Sequence, residues 1–404
     1  MDPLRHVKPS VRALAAYTLA LREAPVKINQ NENPWDLPEA VKRRVLERAL
    51  ARPWSRYPDF DPKELLEALA RFAGWRADGI LAGNGSNEAI EALLLVTVGP
   101  GTRVVIPEPT FTLYALMTTI LGGEAIRVPM VLSSRGTSVV PGPEGSAGVA
   151  DPSSSGRDEA PRGDEATPRG GFAYDVEALL ESLEESQASL TIVCSPNNPT
   201  GTSLAPADVE RLCRASDSLV VIDEAYHEFS GETVVPLLER HPNLVVLRTF
   251  SKAMALAGLR LGYLLASPEL VREVNKARLP YNVNFFSQMA ALAALEEREV
   301  LATSVRRLVA ERERLLARLA DLPGVRTYSS DANFFLLECL SADPKAVFAS
   351  LLRRGVLVRD VTSYPMLGRC LRVSVGTEAE NDAFLHALGT ALTEAGMDLT
   401  TGRA

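Results

Sequence analysis

The sequence predicts an α/β protein with a large three-layer α/β/α domain, built on a mostly parallel sheet, and a smaller α+β domain at the carboxyl end. Short apolar runs alternate with helical patterns from residue 104 to residue 265, which is typical of a parallel sheet covered on both faces. After Arg278 a long helical stretch rich in Ala, Leu, Arg and Glu precedes further strand-like and helical segments. The length of 404 residues is enough for about two domains.

The segments divide the chain as follows. Residues 1–35 are predicted to form an amino-terminal arm, because turn-forming residues there precede the first strong helical pattern. The small domain is predicted over residues 283–404. The large domain is predicted over residues 36–282, with strands at 104–107, 125–128, 190–194, 219–223, 244–247 and 261–265.

One segment of the large domain, residues 133–171, departs from this alternation. It is rich in Gly, Pro and Ser and contains no aromatic residue. Such a composition buries too little apolar surface to offset the conformational entropy lost on ordering. We therefore predict a flexible insertion at this place, and not a further domain.

The overall composition disfavours several classes of partner. The net charge of −8 disfavours binding to nucleic acid and to anionic membranes. The longest apolar runs are far shorter than the roughly 20 residues that a membrane-spanning helix needs. The four cysteines form no CxxC pair, which favours reduced thiols and a cytoplasmic protein. The four histidines lack the spacing of metal ligands, so no metal site is predicted.

A lysine follows one of the predicted buried strands. Residues 244–247 form an apolar run, and Lys252 comes shortly after it among small residues. Open α/β sheets bind their ligands beyond the carboxyl ends of the strands. One interpretation is a loop lysine that points into water. The other is a Schiff-base lysine, whose desolvated amine loses its proton easily.

Polar residues follow two other predicted strands at the same edge of the sheet. Asn198 lies in a turn-rich loop after the strand 190–194. Asp223 ends the next strand, and Tyr226 follows it closely. Each also has an ordinary interpretation, as a turn residue, a helix cap or a surface acid.

A glycine-rich stretch at residues 83–88 opens a predicted helix. The free N–H groups and the positive dipole end of such a helix suit a phosphate. The alternative is a helix capped by Ser86 without any ligand.

As a set, these residues meet the requirements of pyridoxal phosphate. That cofactor needs a lysine for its aldehyde, an anion site for its phosphate and a carboxylate for its pyridine nitrogen. It also needs a donor to its phenolic oxygen and an aromatic face to stack on. The sequence contains no comparable set for a metal centre or a catalytic triad.

Apart from the insertion, the whole chain resembles the fold type I pyridoxal-phosphate aminotransferases of the class I/II group. Within that group it most resembles the histidinol-phosphate aminotransferase family. The motifs that carry the resemblance are Asn31-Glu-Asn-Pro34, Arg56-Tyr-Pro-Asp59, Gly83-Asn-Gly-Ser-Asn-Glu88, Ser195-Pro-Asn-Asn-Pro-Thr-Gly201, Asp223-Glu-Ala-Tyr226, Thr249-Phe-Ser-Lys252 with Gly258-Leu-Arg-Leu-Gly262, and Leu371-Arg-Val-Ser-Val-Gly-Thr377.

The resemblance implies a role for each matching residue. Lys252 binds the cofactor and moves the proton at the substrate Cα, with Asp223 and Tyr226 as its catalytic partners. Asp223 pairs with the pyridine nitrogen, while Asn198 and Tyr226 contact the phenolic oxygen. The remaining cofactor contacts are implied for Phe111 at the ring face and, at the phosphate, for Gly85, Ser86, Asn87, Ser251, Arg260 and, from a second subunit, Tyr57. Substrate contacts are implied for Arg372, Arg359, Tyr17 and Asn198.

The implied reaction moves an amino group from histidinol phosphate to 2-oxoglutarate in histidine biosynthesis, and yields imidazole acetol phosphate and glutamate. The implied partners are a small-molecule amino donor, a 2-oxo acid acceptor and a second copy of the chain that shares the active sites. An aminotransferase for aromatic or other amino acids and a threonine-phosphate decarboxylase remain alternatives of the same fold. A pyridoxal-phosphate-sensing regulator is disfavoured, because the arm is too short for the DNA-binding module that such regulators carry.

Overall fold

The computed structural model describes residues 2–14, 22–133 and 170–398. Its helices are α1 (Pro9–Arg12), α2 (Glu39–Ala51), α3 (Lys63–Ala73), α4 (Ser86–Thr97), α5 (Leu113–Leu121), α6 (Val176–Ser186), α7 (Pro206–Ala215), α8 (His227–Ser230), α9 (Pro268–Val274), α10 (Phe285–Glu296), α11 (Arg298–Ala320), α12 (Pro344–Arg353) and α13 (Glu378–Asp398). Its strands are β1 (Val26–Lys27), β2 (Ile80–Gly83), β3 (Arg103–Glu108), β4 (Glu124–Pro129), β5 (Val131–Ser133), β6 (Gly171–Ala173), β7 (Leu190–Cys194), β8 (Leu219–Asp223), β9 (Leu244–Thr249), β10 (Gly262–Leu265), β11 (Val325–Thr327), β12 (Phe334–Cys339), β13 (Val356–Leu357), β14 (Arg359–Asp360) and β15 (Cys370–Ser374). Short 3-10 helices lie at Pro3–His6, Ala77–Gly79, Val235–Glu239, Ala257–Leu259 and Asn275–Ala277.

The large domain is built on a seven-stranded sheet in the order β2-β10-β9-β8-β7-β3-β4. β10 runs antiparallel to both of its neighbours, and the other neighbouring strands are parallel. Every strand predicted for this domain is present, and the mostly parallel sheet is confirmed. β2 is an additional strand that the sequence did not predict. Its four residues run directly into the glycine-rich stretch, which hides a strand pattern.

Both faces of this sheet are buried, because alternate side chains of each strand enter different cores. In β8, Val220 and Ile222 pack into one apolar cluster and Val221 packs into the other. Helices α4, α5 and α9 cover one face, and α2, α3, α6, α7 and α10 cover the opposite face. Each fully buried Val or Ile stabilises the fold by about 1.5–3 kcal/mol relative to exposure. The predicted three-layer α/β/α architecture is therefore confirmed.

The second sheet is small and antiparallel, with four strands in the order β11-β12-β15-β14. Helices α11, α12 and α13 pack their apolar sides onto it. Strand β1 of the predicted arm pairs in parallel with β13, so that Val26 lies opposite Val356. The arm thus joins the small domain before the chain enters the large one.

The position of the domain boundary at residues 282/283 stays a prediction. Val283 and the alanines of α10 pack into the core of the large sheet. Within α11, Leu301 still belongs to that core, whereas Leu308 packs into the core of the small sheet. This packing favours a boundary inside α11.

The predicted insertion starts and ends in a short hairpin. β5 and β6 pair antiparallel, with Ser133 opposite Gly171. The two ends of the segment are therefore neighbours on adjacent strands. The predicted flexibility itself concerns residues 134–169, which lie outside the described part of the chain.

Candidate active site

A cleft of about 460 Å³ separates the carboxyl ends of β7, β8 and β9 from strands β14 and β15 of the small sheet. Parallel strands end at the same edge of a sheet, which brings the residues that follow them together. Most of the predicted site residues line the cleft: Ser86, Asn87, Phe111, Asn198, Asp223, Tyr226, Ser251, Lys252, Arg260, Arg359 and Arg372.

Lys252 projects its amine into this cleft. Its Nζ donates a hydrogen bond to the backbone oxygen of Gln30 at 2.9 Å and lies 5.8 Å from the ring centre of Tyr226. Burial, reinforced by the cation of Arg372, lowers the pKa of the Lys252 amine from 10.5 to about 7. A large share of the amine is therefore neutral and nucleophilic near neutral pH.

Asp223 presents a buried carboxylate, 7% exposed, at the end of β8. Its Oδ2 accepts a hydrogen bond from the hydroxyl of Tyr114 at 2.7 Å, and its Oδ1 accepts one from the backbone N–H of Ala225 at 3.0 Å. Burial raises the pKa of the Asp223 carboxyl, and these two hydrogen bonds oppose that rise. A carboxylate held in this way suits a cationic N–H group of a ligand.

The start of α4 has the features that suit an anion. Gly85 caps this helix with φ +89°, and none of the described side chains satisfies its first N–H groups. A Cβ at Gly85 would lie 2.6 Å from the Arg260 guanidinium, and one at Gly262 would lie 2.1 Å from the backbone nitrogen of Ser86. The interpretation of Ser86 as the helix cap is therefore wrong, because Gly85 occupies that position.

The Arg260 guanidinium lies beside the start of α4 and adds a positive charge there. Its Nη1 donates to Ser251 Oγ at 3.0 Å, which aligns a cation and a hydroxyl beside the start of α4. The backbone of Arg260 is left-handed, with φ +51°. Non-glycine residues adopt this conformation at a cost, and it is concentrated at functional sites.

Two arginines face each other on the wall of the cleft that the small domain supplies. Arg359 of β14 and Arg372 of β15 are directly paired across the strands, and both line the cleft. Arg372 is buried, and its guanidinium donates to the side chain of Asn198 and to the backbone oxygen of Asn29. Like charges directly opposite each other destabilise a sheet, so this pair favours an anionic ligand.

Several residues of the cleft have no role in the sequence-based predictions. Tyr114 contacts Asp223, and Tyr364 lines the wall near Arg359. Asn31 donates from its amide to the Tyr226 hydroxyl at 3.0 Å and accepts from Ser374 at 2.7 Å. Asn31 lies in a quoted motif, but nothing in the chain order indicates which side chain it meets.

Tyr57 is not among the residues that line the cleft. Tyr57 is 76% exposed and stacks on Tyr281 with 4.5 Å between the ring centres. Its predicted contact comes from a second subunit, so this surface position neither supports nor contradicts it. Tyr17 lies outside the described residues.

In the described part of the chain, no group of three or more His, Cys, Asp or Glu residues is placed to hold a metal ion. None of the helices in that part is both long enough and apolar enough to cross a bilayer.

Comparisons with known proteins agree with the motifs. The family model of aminotransferase class I and II matches residues 23–136 and 164–388 and passes over part of the predicted insertion. A histidinol-phosphate aminotransferase of Chlorobium phaeovibrioides is 35% identical over 389 residues, which cover 96% of this chain and 97% of that protein. One of Desulfitobacterium hafniense is 37% identical over 386 residues, with 96% of this chain and 97% of that protein covered.

The fold has a counterpart among solved structures. The histidinol-phosphate aminotransferase of Sinorhizobium meliloti, solved in complex with pyridoxal-5'-phosphate, superposes with a TM-score of 0.78 at 24% identity. The match covers 96% of this chain and 98% of that one. This likeness confirms the predicted fold, and the family match confirms the enzyme class with its pyridoxal phosphate cofactor. The chain belongs to the aminotransferase class I and II family.

Proposed function

We propose that the protein transfers the amino group of histidinol phosphate to 2-oxoglutarate, with pyridoxal phosphate as cofactor, in the biosynthesis of histidine. The products are imidazole acetol phosphate and glutamate. The observation that carries this proposal is one cleft that joins the Lys252 amine to the facing arginines Arg359 and Arg372. The names of relatives that are 35% and 37% identical over nearly the full chain support the choice of substrate.

The residues of the cleft fit pyridoxal phosphate. The uncapped start of α4 and Arg260 suit its phosphate, and the lack of a side chain at Gly85 lets the Arg260 guanidinium come close to the helix start. Asp223 suits its ring nitrogen, and Phe111 offers an aromatic face. The Asn198 carboxamide accepts from Arg372 through Oδ1, which leaves its N–H groups available to the phenolic oxygen.

The chemistry then divides between the cofactor and the protein. When bound, pyridoxal phosphate supplies an electron sink for the negative charge that develops at the substrate Cα. Lys252 takes the proton from Cα and returns a proton during the exchange. An amine with a pKa of about 7 performs both steps well near neutral pH. Asp223 keeps the proton on the ring nitrogen, because a buried anion favours a nearby cation.

The two arginines determine which amino donor fits. The planar guanidinium group binds carboxylate or phosphate through paired hydrogen bonds. We assign the phosphate of histidinol phosphate to Arg359. Arg372, next to Asn198, binds the carboxylate of glutamate and of 2-oxoglutarate. The same cleft thus accepts a phosphorylated donor and a dicarboxylic acceptor in turn.

The proposal includes a homodimer with shared active sites, located in the cytoplasm. Exposed apolar side chains support the dimer, among them Tyr57 and Phe60, which both contact Tyr281. In the dimer, Tyr57 reaches the phosphate site of the other subunit. The four cysteines are buried and form no disulfide, which supports a protein that works in a reducing compartment.

The test is a titration of the cofactor-loaded protein with a panel of amino donors. We expect histidinol phosphate to deplete the visible absorption of the bound cofactor at a lower concentration than phenylalanine or phosphothreonine, and 2-oxoglutarate to restore it. Preference for phenylalanine would make the protein an aromatic aminotransferase. Release of carbon dioxide from phosphothreonine would make it a decarboxylase. A protein that acquires no visible absorption with pyridoxal phosphate would refute the whole proposal.

A further inference from the structure

Tyr114 is buried at the bottom of the cleft, at the start of α5, with 1% of its surface exposed. Its hydroxyl donates a hydrogen bond of 2.7 Å to Asp223 Oδ2. Its ring packs edge to face against Phe111, with 5.6 Å between the ring centres and an interplanar angle of 85°. One side chain therefore contacts both the carboxylate assigned to the ring nitrogen and the aromatic residue assigned to the ring face.

The hydrogen bond to Asp223 has a specific energetic consequence. A carboxylate taken out of water is costly unless donors satisfy its oxygens. Asp223 has two such donors on its two oxygens, the Tyr114 hydroxyl and the backbone N–H of Ala225. The backbone donor is fixed by the turn after β8, and no side-chain substitution removes it. Of these two donors, the hydroxyl of Tyr114 is thus the one that a side-chain substitution can remove.

Other ionisable groups surround Asp223 and act on its charge. The carboxylate of Glu224, which follows it in the chain, raises the pKa of Asp223 further. The groups that face it from neighbouring elements are Cys194 at the end of β7, Tyr226 after β8, Lys252 after β9, and Tyr114 itself. Burial keeps the Cys194 thiol and the two tyrosine hydroxyls protonated, because it raises the pKa of each well above neutral pH.

We propose that Tyr114 is a positioning residue for the cofactor. Its hydroxyl fixes the orientation and the ionised state of Asp223, while its ring fixes the plane of Phe111. This inference rests on the proposed pyridoxal phosphate chemistry and adds to it a residue that the sequence motifs did not indicate. Tyr114 acts through Asp223 and Phe111, so its removal changes how the cofactor is held and not only how stable the protein is.

The test compares Tyr114→Phe with Tyr174→Phe. Tyr174 is the control, because its hydroxyl also makes a hydrogen bond at the end of a strand, partly buried and directed to the backbone oxygen of Cys194, and not to Asp223. For Tyr114→Phe we expect pyridoxal phosphate to bind the apoprotein about tenfold more weakly, the typical effect of losing a hydrogen bond to a charged group. We also expect the acid limb of kcat/KM to move to higher pH, because Asp223 then protonates more easily.

The control variant separates positioning from stability. Tyr174→Phe is expected to lower the melting temperature of the apoprotein while cofactor affinity and the acid limb stay as in the wild type. If both variants change cofactor affinity and the acid limb equally, the role of Tyr114 is structural and the inference fails. If the wild type acquires no visible absorption with pyridoxal phosphate, the proposed function fails instead, so the two failures are distinguishable.

A second comparison keeps the test valid should Tyr114→Phe alone fold poorly. In an Asp223→Asn background the buried charge is absent, so the loss of the hydroxyl leaves no anion without its donor. If Tyr114 acts through that charge, adding Tyr114→Phe to Asp223→Asn is expected to change cofactor affinity less than twofold, because residues that work as a unit are not additive. A loss of about tenfold in this background as well would overturn the inference.

Discussion

The lowered pKa of Lys252 predicts an unusual pH dependence of stability in the cofactor-free protein. The folded state holds this amine in a partly dehydrated cleft, where the cation of Arg372 opposes its protonation. Replacing Lys252 by Met removes the group that resists protonation. We expect Lys252→Met to stabilise the cofactor-free protein relative to the wild type most strongly at pH 7 and below, and less as the pH rises.

The magnitude follows from proton linkage. Between about pH 7 and pH 10.5 the unfolded chain binds a proton at Lys252 that the folded chain does not bind. Stability is therefore unaffected by this lysine above the unfolded pKa of 10.5. It falls as the pH decreases to about 7, where the destabilisation reaches its full size. At 1.36 kcal/mol per pKa unit, the difference between 10.5 and about 7 corresponds to about 5 kcal/mol in the free energy of unfolding. This is an upper value, because the cleft is open to water. From pH 7 to pH 9 the advantage of Lys252→Met is expected to shrink by about 2–3 kcal/mol.

The assay is urea unfolding of the cofactor-free proteins, followed by circular dichroism at pH 7, 8 and 9. The control is Lys276→Met, which removes an exposed lysine paired with Glu273 on the surface. Differences from the wild type at each pH remove the contribution of every other titrating group. A difference between Lys252→Met and the wild type that stays constant from pH 7 to pH 9 would refute the reasoning, because the amine would then be hydrated as in the unfolded chain.

Three further predictions concern the substrate, the dimer and the insertion. Arg359→Ala is expected to lower kcat/KM for histidinol phosphate by the equivalent of about 2–4 kcal/mol of transition-state stabilisation, and to lower it less for phenylalanine. Equal losses would mean that Arg359 does not bind the phosphate. Mixing Lys252→Ala subunits with Tyr57→Ala subunits is expected to restore activity, because one site of each heterodimer then combines its own lysine with the partner's tyrosine. Verified heterodimers without activity would contradict a shared site. Replacing residues 135–169 by a short Gly/Ser turn is expected to leave turnover and dimerisation nearly unchanged, since loop length costs only about 0.6 kcal/mol per doubling. Loss of either property would identify the segment as a lid or an interface.

The parts of the fold that the sequence predicted are those with a strong local pattern. Strands β8 and β9 each begin with a run of four apolar residues, because both faces of a parallel sheet are buried. β2 went unpredicted for the opposite reason, since it has only four residues and ends in glycine. It forms at the end of the sheet order by pairing with β10, from which many residues separate it in the chain.

The site residues show the same division between local and distant information. Lys252, Asp223 and Asn198 were predictable, because each follows a recognisable strand of one sheet. The contact of Tyr114 with Asp223 spans 109 residues, and that of Asn31 with Tyr226 spans 195. No local pattern carries such pairings. They follow from the packing of α5 against the sheet and from the path of the arm across the cleft.

The cap of α4 lies one residue before the position that the side chains alone indicate. Ser86 has the side chain of a typical cap, whereas Gly85 has none. Gly85 occupies the cap position because φ there is +89° and because Arg260 leaves no space for a Cβ. The consequence is functional, since a serine cap would satisfy the N–H groups that remain available to a phosphate.

The charges of the cleft connect these observations. The chain carries a net charge of −8, yet Lys252, Arg260, Arg359 and Arg372 converge on one cleft. Burial lowers the pKa of Lys252, and repulsion from the cations of Arg372 and Arg260 adds to the shift. The same repulsion is relieved when the phosphate of a cofactor or the anionic groups of a substrate enter. The folded protein thus holds its cations in a costly arrangement that anions would stabilise, and in the proposed function this arrangement favours both a neutral Lys252 amine and the entry of anionic ligands.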